Sequence, residues 1–248
     1  MMLPDEYERQ ERWRRWDSAL ARVPLARGQR VLDLGCGVGA VTATLAQAGV
    51  DVIGVDLDDT LLARARQRHP GLRFDKQDVG ALEPSTFGRV DGIWASFVAA
   101  YFADVEAIVA RWRRCVVDGG WLALVEIDDL LGHEPRASAL AADIGGFYAS
   151  VRERGGYGFE YGRRLAPAMR AAGLTVIHEG TLDDDELAFD GSAPSDVIDA
   201  WRARFARMHG MQAHFGARFA DVERAVLDSF ASPAHRSLCR VVLVVARG

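Results

Sequence analysis

Residues 30–40 read Arg-Val-Leu-Asp-Leu-Gly-Cys-Gly-Val-Gly-Ala: a short apolar run, an acid and three alternate glycines directly ahead of an amphipathic stretch. No other segment constrains the fold as tightly. Val31, Leu32 and Leu34 suit a buried parallel strand, and Gly35, Gly37 and Gly39 let the backbone turn sharply and approach a ligand where a Cβ would collide. Val41, Leu45 and Ala48 then fall on one helical face that stops at Gly49, so the free N–H groups at the helix start point back into the loop. A strand, a glycine turn and a helix N-terminus in this order build a pocket for a nucleotide cofactor.

Gly35-x-Gly37-x-x-Ala40 also satisfies the dinucleotide pattern G-x-G-x-x-G/A. Asp33, two residues before Gly35, separates the two cofactors. A carboxylate beside the ligand repels a pyrophosphate but organises a cationic amino-acid moiety. Asp33, Gly35, Gly37 and Gly39 together resemble the first motif, D-x-G-x-G-x-G, of the class I S-adenosylmethionine-dependent methyltransferases. The resemblance implies an α/β fold: a Rossmann-like doubly wound sheet of about seven strands, mostly parallel with an antiparallel C-terminal strand, plus helical lid segments. It also implies S-adenosyl-L-methionine as cofactor and S-adenosyl-L-homocysteine as product, with Cys36 in the binding loop.

The following segments extend that reading. Val50 to Asp56 reads as a second strand ending in an acid 21 residues beyond Gly35. An acid at about that distance can accept both ribose hydroxyls, with Leu57 beside it. A third strand, about Leu72 to Phe74, leads to Gln77-Asp78-Val79, which resembles the family's acidic motif. There the resemblance implies that Asp78 and the backbone around Val79 meet the adenine amino group. A fourth strand over Val90 to Phe97 puts Ser96 and Phe97 at the carboxyl edge, where open α/β sheets bind ligands. Asp104 then reads as an N-cap, and Val105, Ile108, Val109, Trp112 and Val116 follow at helical spacing up to Gly119-Gly120. Strand five is expected at Trp121 to Ile127, strand six near Leu174 to His178 and the terminal strand at Ser237 to Ala246. The resemblance makes the last two an antiparallel pair.

At 248 residues, without a Pro/Gly/Ser-rich linker, repeat or low-complexity tract, the chain is expected to form one methyltransferase domain. Within it, residues 1–28 form an N-terminal helical cap, 29–130 the cofactor-binding core, 131–173 a helical acceptor-side segment and 191–236 a helical insert before the last strand. A net charge of −5, with the basic cluster Arg9, Arg12, Arg14 and Arg15 interleaved with Asp5, Glu6, Glu8, Glu11 and Asp17, reads as a solvated helix and excludes a nucleic-acid partner. The three cysteines make no C-x-x-C pair, so neither a disulfide framework nor a zinc site follows. The N-terminus is charged and the longest aliphatic run, Val241 to Ala246, is too short to span a bilayer, so a cytoplasmic protein without a membrane partner is expected. Oligomeric state is left open.

Methyl transfer from a sulfonium is an in-line displacement, for which alignment of donor and acceptor matters most. The expected reaction is metal-independent transfer to a small organic acceptor. His133, after strand five, is the candidate general base because it titrates near neutrality; His209 and His214 are rivals. Trp16, Tyr101, Arg136, Tyr148, Tyr157 and Tyr161 are candidate acceptor contacts, with Arg163 beside them. No metal ligand is expected: Ser96-Phe97 supplies no acid, and Asp128-Asp129 and Asp183 to Asp185 read as solvated loops. Two alternatives stay open at this point. A sulfonium-binding enzyme of cyclisation or elimination would keep Asp33, Asp56 and Asp78, and a nicotinamide-dependent dehydrogenase would use the same glycine loop.

Overall fold

The computed structural model describes residues 3–248. Nine strands follow in chain order: β1 (Arg30–Leu34), β2 (Asp51–Asp56), β3 (Arg73–Lys76), β4 (Val90–Ser96), β5 (Val116–Asp128), β6 (His133–Glu134), β7 (Thr175–Leu182), β8 (Arg236–Ser237) and β9 (Arg240–Arg247). Seven of them form one sheet in the order β3-β2-β1-β4-β5-β9-β7. Every pairing from β3 to β5 is parallel, and β9 runs antiparallel to both β5 and β7. This is the doubly wound sheet expected from the sequence. The order reverses between β1 and β4, which opens a crevice at the carboxyl ends of the strands.

The helices are α1 (Leu3–Glu11), α2 (Trp16–Leu20), α3 (Ala40–Gln47), α4 (Asp59–Arg68), α5 (Pro84–Phe87), α6 (Val105–Arg114), α7 (Ser138–Glu153), α8 (Gly162–Ala171), α9 (Ser195–Arg207), α10 (His209–Phe215) and α11 (Phe219–Ala231). Two helix starts carry aspartate caps, of which Asp104 is the one expected from the sequence. Asp58 accepts from the N–H groups of Thr60 and Leu61 at the start of α4, and Asp104 from those of Glu106 and Ala107 at the start of α6. Each contributes about 0.5–2 kcal/mol.

Both faces of the sheet are covered, so its strands alternate between two apolar layers. Val31, Trp94, Trp121, Ala123 and Val125 join one layer together with Phe147 of α7, Trp201 and Phe205 of α9, and Val226 and Phe230 of α11. Leu32, Leu34, Ile93, Leu122 and Leu124 join the other with Val109 and Trp112 of α6 and Leu165 and Met169 of α8. The insert helices therefore pack as part of the sheet's own core. Full burial of Trp201, Phe205 and Phe230 stabilises this arrangement by about 1.5–3 kcal/mol each. The short ladder between β6 and β8 ties the segment after β5 to the end of the insert.

Several boundaries differ from the sequence reading. Strand three is displaced to 73–76 and strand six extends to Leu182. Ser237 leaves the terminal strand to pair with His133. Val116 opens β5 instead of closing α6, because a register shift beside Val90 lets the strand continue through Gly119 at φ 77° up to Trp121. Two acidic runs expected in solvent are partly inside: Asp128 is buried between Arg163 and Arg240, and Asp184 is buried against Arg14. The charged N-terminal stretch is not a fully solvated helix either, since Glu6 is buried and pairs with Arg9 and Arg207. Among the described residues no helix is long and apolar enough to cross a membrane.

Candidate active site

The crevice at the switch point holds a cavity of about 870 Å³. Its floor comes from strand ends: Gly35 to Val38 after β1, Asp56 to Asp58 at the end of β2, Gln77 to Val79 after β3, Ser96 to Val98 at the end of β4, and Ile127 in β5. Its far wall comes from Tyr7, Gln10 and Glu11 of α1, Arg14 and Trp16 beyond it, Tyr101, Tyr157, and Arg204, Arg207 and Met208 at the end of α9.

Gly35 and Gly37 adopt φ of 68° and 54°, the left-handed region that disfavours side chains. A Cβ on Gly35 would run into Val98, and one on Gly37 would lie 3.3 Å from the Tyr7 ring. Tyr7 thus rests directly on the glycine loop. Asp56 fixes that loop, because its carboxylate accepts from the N–H of Gly37 at 2.9 Å and from those of Leu57 and Asp58 at 2.7 and 3.0 Å. Asp78 accepts from the Gly80 N–H at 2.8 Å. The floor therefore offers bare backbone and two carboxylates, a lining suited to the hydroxyl and amine donors of a nucleoside.

Asp33 stands elsewhere. It is buried beneath the loop, does not line the cavity, and accepts a hydrogen bond from the Thr42 hydroxyl of α3. Burial pushes its carboxyl up to about 7 against the opposing effect of that hydrogen bond. Its place is behind the glycine turn, joining β1 to the helix that follows. Gly39 likewise shapes the loop from outside the lining, at φ 87°.

The opposite wall is aromatic and cationic. Phe97 holds a positive φ of 59°, a conformation rare outside glycine, and its ring packs 6.1 Å from Trp16 and 4.6 Å from the Arg14 guanidinium. Tyr101 meets Tyr157 edge to face at 5.1 Å. The turn carrying Phe97 and Tyr101 is held from below by Glu126 of β5, which accepts from the Ala100 N–H at 3.0 Å. Burial pushes the Glu126 carboxyl up to about 8. Burial also raises the Tyr7 and Tyr157 phenols, so both stay protonated donors at neutral pH.

Of the residues singled out from the sequence, the cavity brings together Gly35, Cys36, Gly37, Asp56, Leu57, Asp78, Val79, Ser96, Phe97, Trp16, Tyr101 and Tyr157. It does not bring in His133, Arg136, Tyr148 or Tyr161. His133 is buried among Phe189, Trp201 and Phe230, with its Nδ1 3.1 Å from His235 Nε2 and its Nε2 3.2 Å from the Leu130 carbonyl. Burial pushes its imidazole down to about 3, so it stays uncharged at neutral pH, and it does not border the cavity. Arg136 donates to the Leu131 carbonyl, Tyr148 bonds Leu131 and Asp129, and the Tyr161 hydroxyl donates toward the carbonyls of Phe102 and Ala103. His214 packs against Phe147 and Phe215. Residues missed by the sequence reading are Gln10, Arg14, Gln77, Arg204, Arg207 and Met208. Among the described residues no cluster of His, Cys, Asp and Glu has the arrangement of a metal site.

A methyltransferase-domain family model matches residues 32–124. Over 208 residues the chain is 35% identical to a trans-aconitate 2-methyltransferase of Methylobacterium nodulans, an alignment covering 83% of this chain and 71% of that relative. It is 32% identical over 156 residues to a ubiquinone biosynthesis O-methyltransferase of Bordetella avium, covering 60% of this chain and 63% of the relative. Among solved structures the cyclase SpnF superposes with a TM-score of 0.61 at 19% identity, over 94% of this chain and 78% of the other, a likeness that carries the fold alone.

Proposed function

The chain belongs to the class I S-adenosylmethionine-dependent methyltransferases, and from that premise we propose that it methylates a carboxylate oxygen of a small organic acid of the trans-aconitate type. The observation that carries this reading is the cationic wall: Arg14, Arg204 and Arg207 line the cavity opposite the glycine loop. Arginine is the side chain best matched to a planar carboxylate.

The floor fits the cofactor. Gly35, Cys36 and Gly37 would hold it through backbone, Asp56 would accept the ribose hydroxyls, and Asp78 with the chain around Val79 would meet the adenine; Asp33 would act from beneath, by fixing the turn. S-adenosyl-L-methionine supplies an electrophilic methyl group and leaves as S-adenosyl-L-homocysteine. The remaining work belongs to the protein and is positional. Tyr7, Tyr101 and Tyr157 shape the space next to the loop, and the arginines fix the acid's orientation toward it. Good alignment lowers such a barrier by about 7–11 kcal/mol. A carboxylic acid of ordinary pKa, about 4, is already ionised at neutral pH. Such an acceptor needs neither a general base nor a metal to become nucleophilic, which agrees with the burial of His133 away from the cavity. The cyclisation or elimination alternative is not favoured: its support is the fold-level likeness to SpnF.

The test is to incubate the purified protein with methyl-labelled S-adenosylmethionine and trans-aconitate. Mass spectrometry should find S-adenosylhomocysteine and an alkali-labile monomethyl ester in equal amounts. Absence of label from every carboxylic acid tried, with cofactor binding intact, would refute the acceptor class.

A further inference from the structure

Arg204 lines the cavity although most of its side chain is buried. One terminal nitrogen donates to Glu186 Oε1 at 2.6 Å, and the guanidinium lies 5.2 Å from the Trp201 ring centre. Its Nε is buried with no hydrogen-bond partner among the described residues. Arg14 donates through Nε to Asp184 Oδ2 at 3.3 Å and through one terminal nitrogen to Gln10 Oε1 at 3.1 Å.

The chain that carries the carboxylates behind these arginines is pinned. Asp184 accepts from the N–H groups of Glu186 and Leu187, and the Glu186 carbonyl accepts from Trp201 Nε1 at 2.9 Å. Both acids are buried and neither lines the cavity. Two guanidiniums are thus anchored from the rear by buried counter-ions while both border the cavity. Each carries five N–H donors, only some of which are spent. A carboxylate gripped by such donors directs its lone pairs at arginine and is a poor nucleophile, so this pair suits a group that is held, not one that reacts.

Resting on the reading of an acidic acceptor, we propose that Arg14 and Arg204 form a subsite for a second, non-reacting carboxylate, which makes the enzyme select polyacids over monoacids. The reacting carboxylate then projects toward the glycine loop from a fixed pivot. Anchoring by Asp184 and Glu186 keeps the two cations in place with little rotamer freedom left to lose on binding.

The experiment uses the full chain saturated with S-adenosylhomocysteine and two probes, propane-1,2,3-tricarboxylate and butyrate, in calorimetric titrations. Wild-type protein should bind the tricarboxylate at least about tenfold more tightly, the worth of charged hydrogen bonds that butyrate cannot make. Arg204→Gln should abolish that preference, and Arg204→Lys, which keeps the charge without the fork, should retain part of it. Since Arg204→Gln strands the Glu186 carboxylate, the double variant Arg204→Gln with Glu186→Gln removes both charges and guards against misfolding; S-adenosylhomocysteine affinity reports its integrity. Equal binding of the two probes by wild type, or an unchanged preference in a folded double variant, would overturn the subsite. If the preference depends on Arg204 but no acid is ever methylated, the subsite stands and the acceptor reading falls.

Discussion

The two ends of the cavity are built on different principles. The proposed cofactor end uses loops at the ends of four neighbouring strands, all between residues 35 and 98. The proposed acceptor end is assembled from α1, the turn after β4, the segment between α7 and α8, and α9. The first is fixed by sheet topology, so substitutions there should act on cofactor binding. The second depends on packing between distant helices, so substitutions there should act on acceptor choice with the cofactor still bound.

The largest expected effect lies in the glycine loop. Gly35→Ala must place a side chain at φ 68°, costing about 1–2 kcal/mol, and must also displace Val98. The combined penalty should weaken S-adenosylhomocysteine binding by about 100-fold in a calorimetric titration. An affinity within a few-fold of wild type would show that the loop is more yielding than the comparison requires.

Next comes Asp56→Ala, which removes the acceptor for the Gly37 N–H as well as the proposed ribose contact. Losing a hydrogen bond to a charged acceptor costs about 1.5–3 kcal/mol, so cofactor affinity should fall more than tenfold. The preference of the loaded protein for polyacids over monoacids should survive. Loss of that preference would mean that the two ends are coupled.

The same difference explains which parts of the molecule are legible in the sequence. Glycine spacing, the acid at the end of β2 and the apolar periodicity of α3 and α6 are local signals, and they suffice to locate the strand-end side of the cavity. Arg14 and Glu6, by contrast, sit in a stretch whose alternating charges have the pattern of a solvated helix. They are drawn inside by partners about 170 to 200 positions away, Asp184 and Arg207, and local pattern carries no trace of such pairing. The insert is recognisable through Val197, Trp201 and Phe205, but Arg204 shares that helix without belonging to its apolar periodicity. A usable signal is the complementarity between Glu6 and Arg207 of α9, and between Arg204 and the acidic run that ends at Glu186. His133 misleads for the opposite reason: its position after β5 is near the active edge, but pairing of β6 with β8 turns it into the aromatic core.

A smaller effect concerns stability. Burial raises Glu126 from 4.5 to about 8 and Asp33 from 3.8 to about 7, so each is protonated in the folded chain over a pH range where the unfolded chain has released the proton. Their stabilising contribution is complete below the unfolded values and is lost as pH rises through the folded ones. His133, lowered to about 3, acts in the other direction and costs stability as pH falls below 6.5. Above pH 6.5 only the carboxyls remain in play, and stability should fall toward pH 8 by on the order of 2 kcal/mol, at about 1.4 kcal/mol per pH unit. Thermal melts from pH 6.5 to 8.5 should show this decline, and Glu126→Gln, which resembles the neutral acid, should flatten it. Because Glu126 holds the turn bearing Phe97 and Tyr101, acceptor KM should follow the same pH range more closely than cofactor affinity does.

The smallest expected effect on catalysis tests the acceptor end by omission. Removal of a working general base typically costs about 10²–10⁴-fold in rate. His133 lies outside the cavity, enclosed by three aromatic rings and engaged through both nitrogens, so neither nitrogen is free to take a proton from a bound acid. His133→Gln should therefore lower the melting temperature, by disturbing the contact with His235 and the Leu130 carbonyl, while kcat and the shape of the pH–rate profile stay as in wild type. Disappearance of an inflection near neutrality in the folded variant would return the imidazole to the reaction. It would also show that the acceptor reaches deeper than the arginine wall, into the core that the β6–β8 ladder closes.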